Sequence, residues 1–78
     1  FDFINISDDC AIFEIEPLAK WIGKSIIEVD FRKRYNLNII AFKSGETVNS
    51  SISADYVFKP NEHILVLGSA EDVKRITK

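Results

Sequence analysis

Ser25-Ile26-Ile27-Glu28-Val29-Asp30-Phe31-Arg32-Lys33-Arg34-Tyr35-Asn36-Leu37-Asn38-Ile39-Ile40-Ala41-Phe42-Lys43 moves from a helical to an extended pattern in one short stretch. Ser25 and Glu28 have capping-box spacing: the Ser oxygen accepts a backbone N–H while the Glu carboxylate reaches back, so a short helix opens here. Asp30 is placed to cap a second turn, with Phe31 and Tyr35 on one face at i,i+4. Asn36 suits a left-handed residue closing that turn. Leu37 to Lys43 then reads as a strand, and its apolar run from Ile39 to Phe42 predicts a central strand covered on both sides.

The flanks extend this pattern. Residues 11–16 are β-rich and read as a strand ended by Pro17, and Pro17 to Gly23 forms a loop pinned by Trp21 and Ile22. Ser44-Gly45 supplies a hairpin turn into a short edge strand at 46–49. A Ser/Asn-rich loop covers 49–53, and residues 54–58 form one more short extended or turn-like element. Lys59-Pro60-Asn61-Glu62 is a turn, with Asn61 able to take positive φ. His63 to Leu67 predicts a buried strand. Gly68-Ser69 starts a terminal helix with Val73 and Ile76 as its apolar stripe. The order is β-α-β-β-β-α: an α+β domain with a small mixed sheet of about four strands and two short helices.

The chain has 78 residues, 46% of them hydrophobic and 28% charged, with net charge −2. This excludes a disordered segment. The longest apolar stretch, Ile64-Leu65-Val66-Leu67, is too short to span a membrane as a helix. An acidic balance argues against a nucleic-acid binder that works by phosphate neutralisation. Cys10 has no partner for an internal disulfide, and with no secretory segment the expected compartment is the reducing cytoplasm. The chain contains no Met and begins at Phe1, so it is expected to be one domain of a longer protein. For so small a chain, burial and ordering terms nearly cancel, which favours help from a partner surface.

Enzymatic chemistry finds little support. His63 heads an apolar strand, Cys10 lies beside Asp8 and Asp9 without the positive surroundings that activate a thiol, and the two acids lack a third metal ligand. Gly23, Gly45 and Gly68 are isolated, so no phosphate-binding glycine loop exists. Arg32-Lys33-Arg34 is the one concentration of positive charge. It reads either as a solvated helix face or, with apolar Ile26-Ile27 and the Asn38 amide, as half of a nucleotide site, since Arg offers a fork to phosphate.

Gly23 to Tyr35 followed by Asn38-Ile39-Ile40-Ala41 resembles the core motif of TrkA-C domains, also called RCK C-terminal domains. Asp55 through Pro60, the Ile64–Ser69 stretch and Asp72 are similar to that family's closing strand and helix, and Asp2 to Ser7 resembles the start of Ktr-type regulatory subunits. The resemblance implies that residues 1–10 lead in from a missing upstream domain and that 11–78 form a regulatory, non-enzymatic domain without a cofactor. It implies a homodimer serving a membrane potassium channel or transporter, peripheral to the inner face of the membrane; the acidic charge balance adds the expectation of no DNA or RNA partner. It also implies cyclic di-AMP as a ligand on the two-fold axis. The family's ligand positions fall on Ile26, Ile27, Asp30 and Phe31, on Arg32 for phosphate, and on Asn38 and Ile39 for the base edge. Arg34 stands where binders commonly carry a small residue, as a second phosphate contact or an obstacle. The alternatives are a ligand-free dimerisation and coupling module, or the same domain on a cation/proton antiporter.

Overall fold

In a computed structural model, residues 3–77 are described; Phe1, Asp2 and Lys78 lie outside the described residues, and with them Asp2 of the family-like opening. Nine elements follow one another: β1 (Phe3–Ser7), β2 (Cys10–Ile15), a 3₁₀ turn (Ala19–Trp21), α1 (Ile26–Val29), α2 (Phe31–Tyr35), β3 (Asn38–Ser44), β4 (Thr47–Asn49), β5 (His63–Gly68) and α3 (Ala70–Thr77). The five strands make one sheet in the order β1-β2-β5-β3-β4, with every neighbouring pair antiparallel.

The α+β class stands, with two differences in the sheet. It is fully antiparallel rather than mixed, and it has five strands. The extra strand is β1, inside the segment expected only to lead into the domain; it pairs with β2 through Phe3↔Phe13, Ile4↔Ile12 and Asn5↔Ala11. The expected element at 54–58 shrinks to a single bridge between Ser25 and Val57.

Sequence alternation sets the layers. Ala11, Phe13 and Ile15 of β2 point to the helices and are buried, as are Ile64 and Val66 of β5. From the other layer, Trp21, Phe31 and Phe58 meet them; Trp21 stacks edge-on to Phe31 at 5.0 Å between centroids and lies 5.4 Å from Phe58. Edge-to-face geometry suits the aromatic quadrupole, so this cluster gains energy beyond its buried area. Val73 and Ile76 of α3 close the core, each 3% exposed or less.

β3 was expected to be covered on both faces. Instead the helices lie on one face only, and Ile40 is 36% exposed. The register explains why the run is still apolar. Ile39 opposes Val66 while Ala41 opposes Leu65, so Ile40 is the extra residue of a β-bulge. The bulge lets Ile39 and Phe42, three residues apart, share the helix-covered face, which regular alternation forbids. The turn at 59–62 also differs from expectation. Glu62 N–H donates to Lys59 O at 3.3 Å, and Asn61 has no positive φ; among the described non-glycine residues only Asp30 and Asn36 do.

Candidate functional site

The site is built by three local devices on consecutive residues. In the capping box, Ser25 Oγ accepts Glu28 N–H at 3.2 Å and Glu28 Oε1 accepts Ser25 N–H at 2.9 Å. The Ser25 backbone N–H, and after it the Ser25 side chain, hold the Glu28 carboxyl below its ordinary value. Asp30 then takes the left-handed conformation at φ 57° and ψ 51°. Its N–H donates to the carbonyls of Ile26 and Ile27 at 3.0 and 3.2 Å, while its own carbonyl accepts Arg34 N–H at 2.9 Å. The expected side-chain cap by Asp30 is absent. Asp30 works through its backbone, ending one helix and starting the next, and Asp tolerates that conformation through its short polar side chain.

Asn36 ends α2 at φ 56°, as expected. Its Nδ2 donates to Asp72 Oδ2 at 3.2 Å, tying the turn to α3. Asp72 is 5% exposed; it also accepts from Ser69 Oγ at 2.9 Å and pairs with Arg75. After Asn36 the chain reverses, Leu37 goes fully inside, and Asn38 emerges opposite Arg32. Arg32 Nε donates to Asn38 Oδ1 at 2.8 Å.

A cleft of about 340 Å³ results, lined by Ile26, Phe31, Arg32, Leu37, Asn38, Ile39, Ile52, Ser53 and Ala54. One wall comes from α1 and α2, another from β3 as re-aimed by the bulge. The third is the loop at 52–54, held against α1 because Ile27 N–H donates to Ala54 O at 2.9 Å and Ile26 N–H to Tyr56 O at 3.0 Å. With Asn38 Oδ1 engaged by Arg32, these two side chains present donors to the cleft: the Asn38 amide N–H₂ and the remaining guanidinium N–H groups.

Five of the eight candidate residues therefore meet in one cleft: Ile26, Phe31, Arg32, Asn38 and Ile39. Ile27 is 66% exposed beside it, and Asp30 is exposed at the helix junction. Arg34 lies outside the lining and borders another groove with Lys20, Lys24 and Tyr35. Phe31 is 2% exposed and belongs mainly to the aromatic core. Leu37 and residues 52–54 escaped the sequence reading; a Ser-rich loop carries no local signal of which wall it will face.

The other sequence candidates sit elsewhere. His63 Nδ1 meets Glu14 Oε2 at 2.6 Å on the far side of the sheet, with Lys43 3.5 Å from the same carboxylate. Asp8 and Asp9 form the exposed β1–β2 turn. Among the described residues, no three His, Cys, Asp or Glu side chains gather where a metal ion could be held. No described helix is long and apolar enough to cross a membrane.

The fold and cleft define a small antiparallel α+β domain with a cationic, apolar-walled recess at the α2–β3 turn. The TrkA-C domain model matches residues 10–78, and the chain belongs to that family. It is 30% identical to Ktr system potassium uptake protein C of Bacillus subtilis over 77 residues, covering 99% of this chain and 35% of that protein. The chain thus spans about a third of the length of such relatives. Among solved structures, the RCK C domain of the potassium transport protein KtrA in complex with cyclic di-AMP superimposes with a TM-score of 0.75 at 31% identity, covering 83% of this chain and 76% of that one. The RCK_C domain dimer of Streptococcus agalactiae BusR, also in complex with cyclic di-AMP, gives 0.74 at 22% identity over 85% and 84%, which shows the shared fold.

Proposed function

We propose that this chain is the cytosolic ligand-sensing domain of a bacterial potassium channel or transporter regulator, and that it binds cyclic di-AMP across a homodimer two-fold to control potassium uptake. On this reading residues 11–78, together with the β1 strand that completes their sheet, are the regulatory unit, and the assembly lies against the inner face of the membrane through its transporter subunit.

One observation carries the proposal: Arg32 and Asn38, joined by a 2.8 Å hydrogen bond, stand at a cleft whose other walls are largely aliphatic. The guanidinium provides charge-assisted bonds for a phosphate. The aliphatic wall of Ile26 and Ile39 takes a flat ring, and the Asn38 amide donates to an acceptor on the base edge. At about 340 Å³ the cleft lies at the small end of ligand sites, which run from about 300 to 1,000 Å³. It suits half of a two-fold ligand, and an isologous interface supplies the same half-site twice. Ile27 and Asp30, exposed beside the cleft, then face the ligand or the second protomer.

Titration calorimetry with cyclic di-AMP tests this. The expected result is saturable heat at one ligand per two chains, with Arg32→Ala and Asn38→Ala each weakening binding by about 1–3 kcal/mol while light scattering still shows a dimer. A dissociation constant weaker than about 100 µM overturns the ligand. If the dimer persists without it, the domain is a coupling module; a monomer at high micromolar concentration overturns the two-fold itself.

A further inference from the structure

The cations of this acidic chain are unevenly spread. Residues 20–34 hold five of its ten Lys and Arg but only two of its twelve acids, so this segment is basic and the remainder strongly acidic. Arg32 belongs to the cleft. Three others meet elsewhere: Lys20 from the 3₁₀ turn, Lys24 from the segment before α1, and Arg34 from α2 line a groove of about 90 Å³ together with Trp21, Glu28, Val29 and Tyr35. Arg32 and Arg34 are two positions apart on a helix, about 200° around its axis, which places them on opposite flanks.

Three features of the groove point to an anion. Among the described residues, no ion pair engages Lys20, Lys24 or Arg34. The one carboxylate in the lining, Glu28, is turned to the helix cap, where its Oε1 accepts Ser25 N–H at 2.9 Å; three cations against one carboxylate leave a charge of +2. Tyr35 Oη accepts Trp21 Nε1–H at 3.2 Å. A phenol that accepts there keeps its own proton to donate. Trp21 is 1% exposed and stacked on both Phe31 and Tyr35, so the floor is rigid. Liquid water takes about 30 Å³ per molecule, so the groove has room for a group of a few heavy atoms.

We propose that the groove formed by Lys20, Lys24, Arg34 and Tyr35 is a phosphate-group site, distinct from the α2–β3 cleft. A phosphomonoester dianion matches its charge and size, and guanidinium and phenol hydroxyl donate to its oxygens while the two ammonium groups supply charge. The phosphate comes either from a free soluble ester or from an anionic lipid headgroup. The proposal does not depend on cyclic di-AMP.

The lone tryptophan gives a direct readout. An anion that accepts the Tyr35 proton polarises the hydroxyl, and the Trp21 indole N–H resonance shifts with it. Inorganic phosphate is titrated at constant ionic strength against chloride and followed by ¹H–¹⁵N NMR; sedimentation is measured with phosphatidylcholine vesicles with and without phosphatidic acid. A saturable indole shift with phosphate, weakened about tenfold by Arg34→Ala or Lys20→Ala and kept by the charge-matched control Lys59→Ala, supports the site with a free anion. Sedimentation only with phosphatidic acid, lost in Arg34→Ala and kept in Lys59→Ala, supports it with a headgroup. No response to either probe, a shift matched by chloride, or a response that survives both groove variants overturns it. The dispersion of the amide spectrum shows that each variant is folded.

Discussion

Gly68 closes β5 opposite Ala11, and a Cβ added to it would collide with Cδ2 of Leu37, while the nearest backbone atom, Asn36 O, stays at an ordinary 3.6 Å. Its φ is not positive, so alanine meets no conformational barrier and the penalty is steric. Leu37 is fully buried, so its side chain has to shift within the packed core to make room. Gly68→Ala gains about 0.4–1 kcal/mol from a less flexible unfolded chain and loses about 1–3 kcal/mol to overpacking. The net expectation is a destabilisation of about 1–2 kcal/mol, or a Tm lower by about 4–8 °C for each kcal/mol. Leu37→Ala alone costs about 2–5 kcal/mol through the cavity it leaves. In the double variant the methyl group added at position 68 enters that cavity, so Gly68→Ala becomes neutral or slightly stabilising. The cycle should therefore show a coupling of about 1 kcal/mol or more. Urea unfolding followed by Trp21 fluorescence supplies the four free energies. Additivity within about 0.5 kcal/mol, or a Gly68→Ala variant as stable as the parent, would show that the Leu37 contact is not what keeps this position glycine.

Two further predictions concern pH. The hydrogen bond from His63, and then the Lys43 charge, hold the Glu14 carboxyl below 4.5 against the opposing effect of burial. This contribution is full above pH 4.5 and fades as pH falls through the lower folded value, so the stability difference from Glu14→Gln, under about 1 kcal/mol for an exposed pair, should vanish in acid; a difference that grows there contradicts the assignment. Burial first, then the hydrogen bond and charge of Glu62, push Tyr56 up to about 12, where Tyr56 Oη donates to both Glu62 oxygens at 2.6 and 2.8 Å. The folded value is raised, so the advantage over Tyr56→Phe is full below about pH 10 and lost as pH rises toward 12; urea midpoints that keep a constant difference across that range refute it.

Local devices were readable before any fold was known. The Ser25–Glu28 box and the left-handed Asn36 depend on bonds spanning three or four residues, so the sequence alone specifies them. Asp30 was misread for an instructive reason. Its residue type fits a cap, yet its N–H closes α1 on the Ile26 and Ile27 carbonyls, its backbone is left-handed, and its side chain makes no cap bond. β1 went unseen as sheet because an edge strand pairs on one side only, leaving Ile4 64% exposed and its pattern undistinguished from a linker. Arg32 and Asn38 were both candidates, but their 2.8 Å contact needs a left-handed residue at Asn36 and a chain reversal between them.

Composition and local pattern thus determined the class of the domain, its two helical turns, its central strands and the basic character of residues 20–34. Tertiary structure decided what those residues do. The bulge at Ile40 in the pairing with β5 re-aims Ile39 into the cleft, the loop at 52–54 is held as a wall because α1 lends N–H groups to Ala54 and to Tyr56 just beyond it, and the step of about 200° around α2 sends Arg34 away from Arg32. Each of these outcomes depends on which distant backbone satisfies a hydrogen bond or fills a volume, and no local pattern carries that information.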